Sequence, residues 1–357
     1  MTRPAGWASK QPCNNDQLMA NVLVTGATGF IGSNLVRALV ARGDNVTCLV
    51  RKTSKVDRLR PLDVALVYGD VTDRENLSDA VSGNDVVYHV AGCITAVRKE
   101  QFYRINHEGT ANIASACAEQ AHPPVLVITS SLAAAGPEVD NRPRTETDPP
   151  APVSHYGWSK RAGELAAQQQ ADRVPITIVR PAIVFGRADR MCLEIFKPIA
   201  RFGVHMVPQV FSARFSLVNV VDLVELMILA ARRGTRLAPP NTPEASRFSG
   251  YYFAACDEHP TYAELGRMIG RALGRRWVLT LPITTVGTWI AAAVSELTGR
   301  IRRKEMCVNL DKAKEITAGS WTCSSRAAAE EMGFAVGAPL IERLRQTVEW
   351  YRKEGWL

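Results

Sequence analysis

The sequence predicts an α/β fold, with a doubly wound parallel sheet followed by a smaller, mainly helical C-terminal lobe. Through the first half of the chain, short runs rich in branched apolar residues alternate with segments of helical periodicity, as in βαβ units. Beyond Gly186 this alternation is lost, and most later segments have helical spacing. We therefore expect the sheet within residues 21–186 and the lobe within 187–357.

Six short, largely β-branched runs are too short for helices, and we predict them as the strands of the sheet: 21–25, 46–50, 64–67, 85–90, 125–129 and 176–179. The segments between them have helical spacing at four places: 33–42, 74–81, 101–120 and 155–170. The stretch 136–152 is rich in Pro, Asp, Glu and Thr and is predicted to be a loop.

In the lobe the helical patterns fall near seven ranges: 191–202, 221–232, 261–273, 283–298, 309–316, 324–332 and 339–354. Two segments, 215–232 and 251–255, are predicted to return to the sheet, so the lobe and the sheet are interleaved along the chain.

Composition indicates a soluble globular chain of 357 residues, 46% hydrophobic and 22% charged. The net charge of +8 comes from scattered basic residues without interleaved aromatics, so we predict no nucleic-acid partner. Eight cysteines without a CxxC pair predict neither disulfides nor a metal site, and they fit a reducing cytoplasm.

No run approaches the ~18 apolar residues of a membrane span, and the first twenty residues lack the apolar core of a signal peptide. We predict residues 1–20 as a disordered extension. Met19 directly precedes the first strand and is a candidate for the true start.

The first strand leads through Gly26, Gly29 and Gly32 into a helix, an order typical of a Rossmann-type dinucleotide cradle. The three glycines would permit the turn, the approach of a pyrophosphate and close helix packing, respectively. The pyrophosphate would lie on the helix N-terminus, and we include Thr28, Phe30 and Ile31 in this cofactor site. Small domains also use such turns for purely structural reasons.

The end of the second strand carries Arg51 and Lys52, where an NAD enzyme usually has an acidic residue for the ribose hydroxyl. Two cations suit a 2′-phosphate, so NADP is predicted, with NAD as the alternative. Strand-end arginines are also often merely solvated. Asp70, followed by Val71, could accept a hydrogen bond from the adenine amino group or cap the next turn.

Tyr156 and Lys160 are four residues apart on a predicted helix and therefore share a face. The preceding strand ends at Thr129 and Ser131, at the sheet edge where open α/β sheets bind ligands. The Lys160 ammonium is predicted to lower the pKa of Tyr156, which would make it a general acid–base for hydride transfer. Ser131 would hold the substrate oxygen. The alternative is a surface helix on which a tyrosine and a lysine are four residues apart by chance.

Seven motifs resemble, in order, those of the extended short-chain dehydrogenase/reductases of the NAD-dependent epimerase/dehydratase family: TGATGFIG (25–32), GDV (69–71), HVAG (89–92), NHEGT (106–110), TSS (129–131), YGWSK (156–160) and RPAIVFG (180–186). The resemblance covers nearly the whole chain from residue 21.

This resemblance implies that Ser131, Tyr156 and Lys160 form the catalytic triad and that Lys160 also binds the nicotinamide ribose. Asn106 matches the family asparagine that braces the active-site helix or the cofactor. The segment beside the nicotinamide would consist of Pro181, Ala182, Ile183 and Val184. Ala91, Gly92 and Thr129 complete the implied cofactor site.

Two activities compete within the family. Sugar-nucleotide epimerases carry a tyrosine where this chain has Ala135, and dehydratases need an Asp-Glu pair where it has Leu132 and Ala133. The chain therefore resembles the branch of dihydroflavonol reductases and 3β-hydroxysteroid dehydrogenases. This implies an oxidoreductase that interconverts a ketone and a secondary alcohol on a fairly apolar, steroid- or flavonoid-like substrate.

The alternative is an NDP-sugar 4-epimerase that uses the same residues with tightly bound NAD. A non-catalytic nucleotide-sensing protein is a third hypothesis, but the complete triad argues against it. Helices flanking the sheet often form dimers in this family, so a homodimer is an expectation.

The stretch 283–304 combines apolar residues at helical spacing with a basic end, Arg300 to Lys304. This pattern suits peripheral membrane contact or an apolar substrate entrance, but it is more often core packing. The basic cluster would also suit the diphosphate of a sugar nucleotide.

Overall fold

The computed structural model describes residues 19–208, 213–302 and 309–357. The predicted disordered extension therefore lies almost entirely outside the described residues, as do Arg303 and Lys304 of the basic cluster.

The described strands form one large sheet and two small ones. Their bounds are β1 Asn21–Thr25, β2 Asn45–Val50, β3 Ala65–Tyr68, β4 Val86–His89, β5 Val125–Thr129, β6 Ile176–Pro181, β7 Ile183–Phe185, β8 Val204–Pro208, β9 Leu217–Asn219, β10 Tyr251–Ala254 and β11 Leu279–Ile283.

Seven strands build a fully parallel sheet in the order β3-β2-β1-β4-β5-β6-β10. The order of the first six is that of dinucleotide-binding folds, with the topological switch point between β1 and β4. The predicted α/β class is confirmed. Strand β10, which lies within the segment 251–255, forms one edge of this sheet. The proposed division at residue 186 stays a prediction.

The helices flank this sheet and form most of the lobe. Their bounds are α1 Phe30–Ala41, α2 Leu77–Val81, α3 Lys99–Phe102, a π-helical segment Tyr103–Glu108, α4 Gly109–Ala118, α5 Leu132–Ala135, α6 His155–Gln168, α7 Leu193–Phe202, α8 Val220–Arg233, α9 Pro243–Ser246, α10 Tyr262–Ala272, α11 Thr285–Arg302, α12 Leu310–Thr317, α13 Arg326–Met332 and α14 Leu340–Lys353.

Alternation along the strands divides the core into two layers. Val22 and Val24 of β1 belong to one apolar cluster with residues of α1 and α8, whereas Leu23 belongs to another with residues of α2, α4 and α6. Successive side chains of a strand point to opposite faces, so helices cover the sheet on both sides. Five of the cysteines are buried as free thiols: Cys48, Cys117, Cys192, Cys256 and Cys323.

The strands β7, β8 and β11 had no sequence prediction, because each finds its partner far along the chain. β7 pairs in parallel with β9, and β8 pairs in parallel with β11. The predicted helix 101–120 is interrupted by the π-helical segment, which contains Asn106. In the described part of the chain, no helix is both long and apolar enough to span a bilayer.

Candidate active site

The glycine-rich turn brings the backbone of β1 close to that of β4. Gly26 has φ +68°, and a Cβ there would lie 2.6 Å from the Ala91 nitrogen. A Cβ on Gly32 would lie 2.2 Å from the Gly26 oxygen, so helix and strand pack too closely for a side chain. Only glycine fits these two positions.

Helix α1 presents its N-terminus above this turn. Gly29 is its N-cap in extended conformation, and no side chain of the described residues caps the helix. Phe30 and Ile31 pack against the core, and the first turn of the helix directly follows Gly29. Free N–H groups and the helix dipole attract phosphate. The residues present therefore fit a dinucleotide, and Thr28 lies in the same turn.

The adenosine end of the cradle would meet Arg51 and Lys52, both exposed just beyond β2. The Arg51 backbone N–H donates to the Ser54 hydroxyl at 3.1 Å. Asp70 accepts from the backbone and the hydroxyl of Thr72 at 2.9 and 3.0 Å, so its observed contact is the turn cap. Val71 is buried against Gly109.

Ser131, Tyr156 and Lys160 lie together at the carboxyl end of β5. Ser131 is the N-cap of α5 and accepts from the Ala133 N–H at 3.1 Å. Ser131 is close enough to Tyr156 for its side chain to lower the pKa of the phenol. The Lys160 ammonium is buried and donates to the Thr129 carbonyl at 2.6 Å. Three groups that are separated in the sequence by helix α5 and the loop 136–152 thus share one site.

The pKa of Tyr156 moves opposite to the sequence prediction. Burial raises it to about 12, the hydrogen bond to Ser131 lowers it, and the charge of Glu315 raises it further. Burial also lowers the pKa of Lys160 to about 8. The predicted lowering by Lys160 is wrong because desolvation has the largest effect and the ammonium is directed at Thr129.

Asn106 joins two elements around Lys160. Its side-chain amide donates to the Cys93 carbonyl and to the Ser159 hydroxyl, both at 2.9 Å, and its oxygen accepts from the Cys93 N–H at 2.8 Å. A Cβ on Gly92 would lie 3.3 Å from the Asn106 oxygen and 3.5 Å from the Lys160 nitrogen. Asn106 therefore ties the loop after β4 to the helix that carries Tyr156.

The segment expected beside the nicotinamide connects β6 to β7. Pro181 ends β6, and the Ala182 N–H donates to the Ala254 carbonyl at 3.0 Å. Ile183 is 39% exposed, while Val184 packs against the core. The chain here is fixed on both sides by neighbouring strands.

A buried ion pair behind the triad was missed from the sequence. Both oxygens of Glu164 accept from Arg180, at 2.8 and 2.7 Å, and both side chains are fully buried. Glu164 also accepts from the Ser130 hydroxyl at 2.6 Å and from Arg161 at 3.0 Å. The signal available was the spacing of Lys160 and Glu164, which places both on one helix face.

Helix α12 of the lobe caps the helix that carries Tyr156. The two Asp311 oxygens accept from the backbone N–H groups of His155 and Tyr156, at 2.8 and 3.1 Å. The Ser154 hydroxyl donates to Glu315 at 2.6 Å. Carboxylates at a helix N-terminus are stabilised by its dipole. Spacing in the sequence puts Asp311 and Glu315 on one face but does not show which helix they meet.

A cavity of about 1140 Å³ opens beside the first turn of α6. Its lining mixes apolar and charged side chains, so it is less apolar than the sequence predicts: Ala96, Val97, Arg98, Lys99, Glu100, Gln101, Phe102, His155, Glu296, Asn309, Leu310, Asp311 and Lys314. Phe102 also contacts the Tyr156 ring, with centroids 6.1 Å apart.

Residues 22–242 match the model of the NAD dependent epimerase/dehydratase family. The chain is similar to a ceramide reductase of Caulobacter vibrioides, 32% identical over 336 residues, which covers 94% of this chain and 96% of the relative. A putative dihydroflavonol 4-reductase of Synechocystis is 36% identical over 222 residues, 59% of this chain and 63% of that protein.

Solved structures share the fold. The structure of MoeE5 in complex with UDP-glucose and NAD aligns with a TM-score of 0.71 at 23% identity, covering 94% of this chain and 99% of that one. At this level of identity the likeness concerns the fold alone.

Proposed function

The chain belongs to the NAD-dependent epimerase/dehydratase family as an extended short-chain dehydrogenase/reductase, and we propose that it interconverts a ketone and a secondary alcohol on an apolar substrate. The observation that carries this proposal is the placement of Ser131, Tyr156 and Lys160 together at the end of β5, beside a buried helix α5 without acidic residues. The full-length similarity to a ceramide reductase supports a lipid-like ketone as substrate.

The hydroxyls of Ser131 and Tyr156 are close enough together to bind one carbonyl oxygen. A nicotinamide cofactor, when bound, supplies or accepts the hydride. Because the pKa of Tyr156 is raised to about 12, its phenol is protonated at neutral pH and ready to donate to a developing alkoxide. This protonation state suits ketone reduction. Ser131 orients the oxygen, and Lys160 holds its positive charge beneath the site.

The apolar substrate class is supported by helix α5. Its four residues, Leu132 to Ala135, are all buried and offer no carboxylate for the elimination of water. A sugar would leave its hydroxyls without partners against such a surface. The charged residues of the cavity lie at Arg98 to Glu100, at Glu296 and on α12, and no residue of α5 lines the cavity.

Mixed charge in that cavity is the observation that favours an NDP-sugar 4-epimerase as second candidate. Arg98, Lys99 and Lys314 would suit a diphosphate. We propose to separate the two by denaturing freshly purified protein and identifying the nucleotide released. An epimerase regenerates its cofactor in each cycle and retains NAD, whereas a reductase exchanges it.

We expect the protein to release little nucleotide and to oxidise added NADPH with an apolar ketone. Long-chain 3-ketosphingoid bases, ketosteroids and flavanones form the first panel, with UDP-glucose and UDP-galactose as controls. Near-stoichiometric NAD together with interconversion of the two UDP-sugars would overturn the proposal.

The cofactor proposal, NADP bound through Arg51 and Lys52, is tested by Arg51→Ala/Lys52→Ala. Since both side chains would contact only the 2′-phosphate, we expect the KM for NADPH to rise about tenfold or more and the KM for NADH to change little. Lys55→Ala, an exposed lysine of the same loop, is the matched control. Equal changes for NADPH and NADH would contradict the assignment.

A further inference from the structure

Helix α11 turns an apolar stripe toward solvent. Its five large apolar side chains are each between 59% and 74% exposed: Val286, Ile290, Val294, Leu297 and Ile301. Their spacing of four, four, three and four residues puts them along one face. On the inner face Thr288 and Ala292 are buried, and Trp289 is partly buried. Core packing, the common explanation of this pattern, is therefore wrong for these five residues.

The stripe continues on the small sheet that precedes it. Strand β11 is joined to α11 through Thr284 alone, and it pairs with β8 so that Leu281 lies opposite Met206. Leu279, Leu281 and Met206 are 51%, 42% and 56% exposed on this sheet. Side chains opposite each other in a parallel pair share a face. We call these residues and the stripe of α11 the outer apolar surface.

Two large aromatic side chains flank this surface where β8 and β11 begin. Phe202 is 61% exposed and Trp277 is 65% exposed. A Cβ on Gly203 would lie 3.3 Å from the Trp277 ring, so the indole lies beside the start of β8. The Leu279 N–H donates to the Gly203 carbonyl at 2.8 Å. Tryptophan with both its ring and its N–H accessible is typical of a membrane–water boundary.

The chain around this surface is rich in basic residues. The described residues 271–302 include five Arg and one acidic residue, Glu296. Glu296 faces inward, since its carboxylate accepts from the Leu310 N–H at 3.0 Å and lines the cavity. The Arg201 guanidinium lies 5.2 Å from the Phe202 ring centroid. An apolar surface bordered by cations is complementary to an anionic bilayer.

We propose that the outer apolar surface binds peripherally to the face of an anionic lipid bilayer. The apolar side chains would enter the boundary between headgroups and acyl chains, and the arginines would meet the lipid phosphates. A second copy of the chain is a poorer occupant, because two arginine-rich borders would be brought together. An isolated apolar surface of this extent needs a partner.

Binding to the bilayer through the outer apolar surface would place the candidate active site beside the membrane. Glu296, on the inner side of α11, and Leu310, on α12, both line the cavity next to Tyr156. A substrate dissolved in the bilayer would reach that cavity by passing α11. This consequence rests on the proposed function, whereas membrane binding itself does not.

The test is co-sedimentation of the full chain with vesicles of phosphatidylcholine alone or mixed with phosphatidylglycerol. We expect binding to the anionic vesicles, weakened by high salt because counterions screen the arginines. Ile290→Asp/Val294→Asp should reduce the bound fraction about tenfold or more, since charges are costly at the acyl boundary. Leu165→Asp, an exposed leucine on α6, is the matched control and should bind as wild type does.

Leu281→Asp on β11 provides an independent variant of the same surface. Circular dichroism and NADPH reduction of a water-soluble ketone, measured without vesicles, show that each variant is folded and active. A wild-type protein that stays in the supernatant with both vesicle types would overturn the proposal. The proposal would also be overturned if the Asp variants sedimented with vesicles as wild type does. It would likewise be overturned if no vesicle binding were found and light scattering showed that these variants convert a dimer to a monomer.

Discussion

Tyr156→Phe is expected to lower kcat for ketone reduction by about 10²–10⁴-fold, the usual contribution of a general acid. The phenylalanine ring keeps the contact with Phe102, but the variant lacks the phenolic hydroxyl beside Ser131. The Kd for the cofactor should stay within about threefold, because Lys160 and the glycine turn are unchanged. Single-turnover reduction and fluorescence titration of NADPH measure the two quantities separately.

Trp158→Phe is the matched control for this experiment. Trp158 lies two residues away on the same helix and is 52% exposed, so its replacement alters an aromatic ring outside the site. Unchanged turnover in Tyr156→Phe with every accepted substrate would show that the proton comes from elsewhere. Equal losses in the two variants would instead point to damage of the helix.

The pH profile gives a second readout of the same site. Because burial lowers the pKa of Lys160 to about 8, its ammonium is lost above that pH, while the Tyr156 phenol stays protonated. The value of kcat/KM for the cofactor reports ionisations of the free enzyme. We expect it to fall as the pH rises through about 8.

The largest effect on stability is expected for Glu164→Ala, a decrease of about 3–5 kcal/mol in the free energy of unfolding. The variant would leave Arg180 as a buried charge without its carboxylate. Arg180 already has a terminal nitrogen, Nη1, without a hydrogen-bond partner in the described part of the chain, and its guanidinium lies 4.4 Å from the Tyr251 ring centroid. Denaturant unfolding measures the change.

Removing both charges should restore much of the loss. Glu164→Leu/Arg180→Met replaces the pair by apolar side chains of similar size, which is often neutral for a buried pair. Glu330→Ala breaks an exposed pair with Arg326 and is the control, with a barely measurable change. A double variant as unstable as Glu164→Ala would mean that packing, and not the unpaired charge, is responsible.

Acid should reduce the stability that the Glu164–Arg180 ion pair contributes. Arg180, Arg161 and Ser130 together hold the pKa of Glu164 below its usual value despite burial. The stability that Glu164 contributes is therefore present at pH values above its unfolded pKa and is lost as the pH falls through the folded pKa. The Glu164→Leu/Arg180→Met variant should lack this acid-sensitive part of stability.

The strands of the large sheet could be predicted because each is a local apolar run with a fixed place in a repeating unit. The strands β1 and β5 begin and end where the sequence predicts. The strands β8 and β11 could not be predicted, since β8 ends in Pro208 and β11 includes Pro282. Such segments become strands by pairing with each other across more than seventy residues.

In the candidate site, too, features set by local sequence patterns could be predicted, and features set by contacts between distant elements could not. Ser131, Tyr156 and Lys160 were predictable because strand end and helix spacing alone bring them together. The π-helical segment, the Glu164–Arg180 pair and the cap by Asp311 depend on contacts between distant elements, which no local pattern records. The wrong pKa direction for Tyr156 has the same origin, because burial of a side chain is a property of the whole fold.

The cap that α12 provides on the first turn of α6 means that the lobe is not an interchangeable module. Asp311 holds the backbone of Tyr156 itself, and Glu315 holds Ser154, one residue before the helix. A chimera that grafted another protein's substrate lobe onto this sheet would also change the support of Tyr156, the proposed general acid. Substrate range and catalytic competence are thus inherited together, unless the graft retains both carboxylates.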